Sequence, residues 1–89
     1  MERNISSNVI YLCENGKVKI NSRKAQEILL FIEKENPEPI AKFTSDHCEY
    51  GYFDNKMFIA EGGIVILGEW QPTQNYRREE TVLVFIPLP

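Results

Sequence analysis

The first regular pattern in the chain is a pair of alternating segments joined by Asn15-Gly16. Asn-Gly in this position is typical of a type I′ turn, which joins two antiparallel strands into a hairpin and sets their register. One face of this hairpin is wholly apolar, whereas the other is mixed and is expected to be largely exposed to water. The apolar face comprises Val9, Tyr11, Cys13, Val18 and Ile20, and the mixed face comprises Ile10, Leu12, Glu14, Lys17 and Lys19.

A helical pattern follows the hairpin and ends at Asn36-Pro37, because the residue before a proline disfavours the helical conformation. Asn21 or Ser22 can cap its start by accepting a hydrogen bond from an unpaired amide of the first turn. Leu30 interrupts the polar side of this helix, either as an incidental exposed leucine or as an anchor for a partner. The apolar stripe of the helix consists of Ala25, Ile28, Leu29 and Ile32, extended by Phe31.

The part of the chain after Pro37-Glu38-Pro39 has patterns typical of β-strands throughout. Short polar or glycine-containing connections separate the segments, Asp54-Asn55-Lys56 among them, so a meander of antiparallel neighbours is the simplest topology. The segment 64–67 is apolar on both sides, which predicts a central strand. The predicted strands span residues 40–44, 48–53, 57–60, 64–70 and 81–86.

These elements together predict the fold class α+β, as one domain over residues 1–89. We expect an N-terminal β-hairpin and one amphipathic helix packed on a mainly antiparallel sheet of about five to seven strands. A chain of 89 residues is too short for two domains that each bury a core without disulfides or metals. Its cysteines, Cys13 and Cys48, form no C-x-x-C pattern and are expected to be free thiols.

The expected location is the cytoplasm, without membrane contact. No segment reaches the roughly eighteen consecutive apolar residues that span a bilayer. The first residues, Met1-Glu2-Arg3-Asn4, lack the apolar stretch of a secretory signal.

The formal net charge of -3 is unevenly distributed. Residues 1–26 carry five basic against two acidic side chains, and residues 27–69 carry nine acidic against three basic ones. Because neutralisation of phosphates by Lys and Arg supplies most nucleic-acid affinity, direct nucleic-acid binding is not expected. The acidic middle region, with Glu33, Glu35 and Glu38, either binds a basic protein partner or forms a solvated surface.

Residues able to carry catalytic chemistry are few. His47 is the single histidine, and its neighbour Cys48 would point to the other side of a strand, which argues against a Cys-His pair. A small hydrolase that uses carboxylates and His47 is the least favoured alternative. No cofactor and no metal ion is expected.

The segment 69–78 is the longest connection among the C-terminal strands and contains the only tryptophan. Trp, Tyr and Arg are over-represented at binding hot spots, because they provide large contact areas or several hydrogen bonds for few frozen torsions. The alternative is that the tryptophan packs into the core while the arginines pair with nearby acids. The residues concerned are Trp70, Tyr76, Arg77 and Arg78.

These observations favour a non-enzymatic protein-binding module, an inhibitor of the immunity, antitoxin or phage anti-defence type. It would bind a basic protein partner through its acidic surface and the Trp70–Arg78 segment. The alternative is an accessory or structural subunit of a homo- or hetero-oligomeric assembly, a homodimer included, held partly by apolar strand edges. The predicted partner-binding residues are Trp70, Tyr76, Arg77, Arg78, Glu33, Glu35, Glu38 and Leu30.

Overall fold

The structure is a computed structural model that describes residues 9–75 and 78–89, with the side chains of residues 46–48 excepted. One helix packs on a six-stranded mixed sheet. No helix in these two ranges is long and apolar enough to cross a membrane. The elements are β1 (Val9–Glu14), β2 (Lys17–Ile20), α1 (Arg23–Glu35), β3 (Ala41–Cys48), β4 (Gly51–Ala60), β5 (Gly63–Pro72) and β6 (Glu80–Pro87).

The predicted hairpin is confirmed in its turn and its register. Asn15 and Gly16 have φ angles of 54° and 75°, the positive values that a type I′ turn requires at both central residues. Glu14 lies opposite Lys17, and Tyr11 lies opposite Ile20. Because the turn has only two residues, it determines which side chains of β1 and β2 share a face.

Helix α1 has the predicted limits, and both ends are capped. Ser22 is the N-cap, and its Oγ accepts a hydrogen bond from the Ala25 amide at 3.0 Å. Asn36 ends the helix in the left-handed conformation, with φ of 48°, and its amide donates to the Ile32 carbonyl at 2.8 Å. These bonds satisfy backbone groups that the helix leaves unpaired at its ends.

The strands β3 to β6 form the expected antiparallel meander, but the complete sheet is mixed. Its order is β2-β1-β6-β5-β4-β3, and β1 and β6 run parallel while the other neighbours are antiparallel. The sheet is therefore mainly antiparallel, as predicted, and this one pair makes it mixed. The pair forms because α1 carries the chain from β2 to the far edge, from which the meander returns to β1. Strand periodicity does not reveal which strands a long connection brings together.

The predicted turn at Asp54-Asn55-Lys56 is wrong, because β4 is one continuous strand of ten residues. Asn55 lies within this strand and is 7% exposed. Its Nδ2 donates to Ser45 Oγ at 2.7 Å and to the Phe53 carbonyl at 3.2 Å. With its amide satisfied inside the sheet, a residue typical of turns occupies the interior of a strand.

The core lies between α1 and one face of the sheet. Leu12, Val65 and Leu83 are fully buried there, and the helix contributes Ala25 and Ile32. The hairpin face that was expected to be wet is thus the one that α1 covers, and the expectation is wrong for Leu12. Alternation separates the two faces of a strand, but it does not show which face a helix will cover.

Leu12→Ala tests this assignment of the two faces. We expect the free energy of unfolding to fall by about 2–5 kcal/mol, because the substitution leaves a cavity in the core. Leu30→Ala is the control, since Leu30 is 63% exposed on α1 and its truncation should change stability by less than about 0.5 kcal/mol. Urea denaturation followed by circular dichroism measures both values. Equally small losses for the two variants would contradict the burial of Leu12.

Candidate protein-interaction surface

The face of the sheet opposite α1 is not covered by any helix or strand in the described part of the chain. Side chains alternate between the two faces along each strand, and the strand registers identify those on this side. We call this surface the open face. Its apolar members are Val9, Tyr11, Cys13, Val18, Ile20, Ala41, Phe43, Phe53, Met57, Ile59, Ile64, Ile66, Trp70, Val82, Val84 and Ile86.

Charged side chains are concentrated on the helix side of the sheet. Among the strand side chains that the structure describes, Glu80 is the single charged one on the open face, and it forms an ion pair with Arg78. A sheet face that meets water in a monomer normally carries polar residues. The charged strand residues on the helix side are Glu14, Lys17, Lys19, Lys42, Asp54, Lys56 and Glu69.

Exposure of the open face is greatest around its margin. Val18 and Ile20 on the edge strand β2 are each 60% exposed, and Ile59 and Ile86 are 65% and 45% exposed. A contiguous apolar patch of more than a few hundred Å² marks an interaction site on a soluble protein. The open face therefore has the composition and the exposure of a surface that another polypeptide covers.

A cluster of aromatic and charged side chains lies at the end of the open face where β5 ends and β6 begins. The Trp70 ring meets the Phe53 ring edge-on, with 5.3 Å between ring centres, and Trp70 is 9% exposed. The Arg78 guanidinium carbon lies 4.7 Å from the Trp70 ring centre, and Arg78 also donates a hydrogen bond to Glu80. The indole and the carboxylate together hold the guanidinium in place.

Tyr11 belongs to the same cluster through Glu80. A hydrogen bond from its hydroxyl to the Glu80 carboxylate, and the negative charge of that carboxylate, raise the pKa of Tyr11. Desolvation raises this pKa further, while the positive charge of Arg78 acts in the opposite direction. Glu80 thus connects β1 to the beginning of β6 on the open face.

The structure separates the residues predicted to bind a partner. Trp70 and Arg78 are in contact at the open face. Trp70 is buried, but by the open-face cluster and not by the core under α1. The other described members are exposed on α1 and in the loop after it, namely Leu30, Glu33, Glu35 and Glu38. Tyr76, Arg77 and the side chain of His47 lie outside the described residues.

The residues that sequence reasoning missed as functional candidates are those at the centre of the open face, such as Ile66 and Val84. A signal for them is present in the pattern. Segment 64–67 is apolar on both sides and the hairpin has one wholly apolar side, which implies a sheet with two faces to cover. The same pattern contains one amphipathic helix, which can cover only one of them.

Two open hollows lie on the helix side, of about 390 Å³ and about 240 Å³. At the larger one, Lys24 Nζ lies 2.8 Å from Glu14 Oε2 and 4.2 Å from the Phe85 ring centre, so this ammonium is already held by the protein itself. Among the side chains that the structure describes, no three His, Cys, Asp or Glu are grouped as metal ligands would be. The smaller hollow is lined by charged side chains, among them Glu33, Lys42, Lys56 and Glu69, but its volume is below the roughly 300–1,000 Å³ of typical small-molecule sites.

Comparisons with known proteins do not indicate a function for this chain. No protein-family model matches the chain, and neither a curated protein nor a solved structure matches it. The open face is thus the feature from which a function can be inferred.

Gly68 and Asn55 are cross-strand partners whose coupling tests the packing of the open face. A β-carbon placed on Gly68 would lie 2.6 Å from Asn55 Oδ1, so Gly68→Ala should lower the free energy of unfolding by about 1–3 kcal/mol. In an Asn55→Ala background the same change should cost at least about 0.5 kcal/mol less, because the clash is absent. Urea titrations of the four proteins give the coupling, and additive losses would show that the two side chains do not meet.

Glu80→Gln should lower the pKa of Tyr11 toward its ordinary value, because the amide carries no charge that holds the phenolic proton. The pKa of Tyr11 is higher in the folded chain than in the unfolded chain. The contact with Glu80 therefore stabilises the fold fully at pH values below the unfolded-state pKa, and this stabilisation is lost as the pH rises through the folded-state pKa. Carbon-13 NMR of labelled tyrosine rings follows this titration. Glu79→Gln, at an exposed neighbouring position, is the control and should leave the pKa unchanged. An equal pKa in all three proteins would contradict the Tyr11–Glu80 contact.

Proposed function

We propose that this protein is a non-enzymatic interaction subunit that binds another polypeptide through the open face of its sheet. The observation that carries the proposal is an apolar sheet face without a covering layer in the described structure. The function is the assembly of a complex, in which the open face becomes the interior of a second core.

The free energy gained by covering the open face is of the same order as the entropy cost of association. Neighbouring strands lie about 4.8 Å apart and pair over about seven residues on average at a rise of about 3.3 Å, which gives the six-stranded sheet a flat area of roughly 500 Å². At about 25 cal/mol per Å², covering this area contributes on the order of 12 kcal/mol. The entropy cost of association is about 4–15 kcal/mol, so good packing of the open face is what decides affinity.

The cluster of Tyr11, Trp70, Arg78 and Glu80 suits the margin of such an interface. Trp, Tyr and Arg are the residue types that contribute most to binding when they are packed against a partner. The guanidinium is already positioned by Trp70 and Glu80, so a partner need not order it. The cluster would set the register of the partner, while the apolar area provides affinity.

The open face favours a partner with an apolar contact surface over a partner recognised by its basic charge. Glu33 and Glu35 lie on α1, across the sheet from this face, and so cannot contribute to the same interface. A partner bound to the acidic residues would occupy a different side of the molecule. The inhibitor, immunity and antitoxin interpretations stay predictions, as does the cytoplasmic location.

Capture from a lysate of the native host tests the proposal with two matched variants. Ile59 on the open face and Leu30 on α1 are 65% and 63% exposed, so lysine is tolerated at either position in the isolated fold. We expect Ile59→Lys to reduce recovery of the bound polypeptide at least tenfold, and Leu30→Lys to leave it unchanged. An untagged copy of the native chain counts as a bound polypeptide. Mass spectrometry quantifies the recovered proteins, and circular dichroism verifies that both variants are folded.

Salt distinguishes the open face from the acidic surface in the same experiment. Binding by apolar burial should persist at high salt, whereas attraction between exposed charges is screened within a Debye length of about 3 Å at 1 M. Equal recovery by the wild type and both variants, or complete loss at high salt, would contradict binding through the open face.

A further inference from the structure

We infer that the occupant of the open face is a second copy of the same chain, packed face to face to form a two-layer sandwich between two outer helices. The inference rests on the proposed function and specifies its partner. In such a dimer each open face would cover the other, and α1 of each copy would remain on the outside. Sheets stacked in this way lie about 10 Å apart.

The area available reaches the lower limit of a biological interface when the whole face is used. The flat area of roughly 500 Å² per copy corresponds to about 1,000 Å² for two copies, and the relief of the side chains increases the accessible surface. A biological interface needs about 1,000 Å² in total, and stable ones bury about 1,200–2,000 Å². The whole face must therefore be used, and a partner that covers only part of it would leave apolar surface in water.

The charge distribution allows the open face to meet itself. A two-fold interface brings the same surface of both copies together. An unpaired charge in it would therefore either meet the same charge of the other copy or lose its water without gaining a partner of opposite charge. Glu80 is the single charged strand residue described on this face, and Arg78 neutralises it within the same chain. The helix side carries many charged residues and could not pack against its own copy in this way.

The strand order places apolar side chains at the centre of such a dimer. The middle of the sheet lies between β5 and β6, where Ile66 and Val84 are cross-strand partners on the open face. A two-fold axis through this point would bring Ile66 near its own copy. The right-handed twist of both sheets gives aligned packing at about 30°, as in other sandwiches.

Two other occupants would fit less of the surface. Residues 1–8 contain two large apolar side chains, Met1 and Ile5, which are too few to cover an apolar face six strands wide. A different protein would need an equally broad apolar face of its own. A second copy of the chain carries the same apolar face.

Sedimentation equilibrium of the purified full chain tests the inference. We expect twice the monomer mass of 10.4 kDa at micromolar concentration. Ile66→Lys at the centre and Ile59→Lys at the exposed margin should raise the dissociation constant at least a hundredfold and at least tenfold, respectively. Leu30→Lys, on the opposite side of the molecule, should leave it unchanged. Circular dichroism establishes whether each variant is folded. If Ile66→Lys does not fold, Ile59→Lys alone still tests the inference.

Alkylation of Cys13 gives a second reading at the interface itself. This cysteine is a free thiol on β1 at the open face and is half-buried in the single chain. Its alkylation, followed by mass spectrometry of the peptide that contains it, should slow as protein concentration rises through the dissociation constant. In Ile59→Lys the rate should depend much less on concentration.

Three results would overturn the second copy as occupant. These are a monomer at every concentration up to hundreds of micromolar, a dimer that neither lysine substitution weakens, and an oligomer that grows beyond two copies. A monomer that still captures a different protein in an Ile59-dependent manner would retain the proposed function and replace its partner. A monomer that captures nothing through Ile59 would contradict both.

Discussion

A single helix can cover only one face of a six-stranded sheet, and most features of this protein follow from that constraint. Helix α1 buries Leu12, Val65 and Leu83 on one side and leaves the other side without a second layer in the described residues. The helix side carries most of the charged strand residues, while the open face carries one that the structure describes, Glu80, which pairs with Arg78. The burial of one face thus accounts for the stability of the chain, and the exposure of the other accounts for its proposed function.

The parallel pairing of β1 with β6 has the next largest effect, because it joins the hairpin to the meander in one continuous sheet. This pairing adds the two strands of the hairpin to the four of the meander, and so widens the open face from four strands to six. It also brings Tyr11 of β1 near Glu80 at the start of β6, and so assembles the cluster that includes Arg78 and Trp70. The aromatic and charged residues of the predicted binding segment acquire their environment from a strand far away in sequence.

Local patterns predicted the parts of this structure that depend on neighbouring residues. The Asn15-Gly16 turn, the cap at Ser22 and the stop at Asn36 act over a few residues, and the structure confirms all three. Asn55 shows where such reasoning fails, because its strand position depends on Ser45 in β3 and on the absence of a side chain at Gly68 in β5. Those partners lie ten and thirteen residues away, and a local turn signal cannot include them.

The sequence by itself determined the hairpin, the limits of the helix and the antiparallel meander after it, since each follows from periodicity or from turn and cap chemistry. Only the tertiary structure decided that β1 pairs with β6, that β4 is continuous, and that α1 lies on the Leu12 side and not on the Tyr11 side. The physical reason is that alternation separates the two faces of a strand but does not show which of them the helix will cover. Which face becomes core depends on where the connections carry the helix, and therefore on contacts between residues distant in the chain.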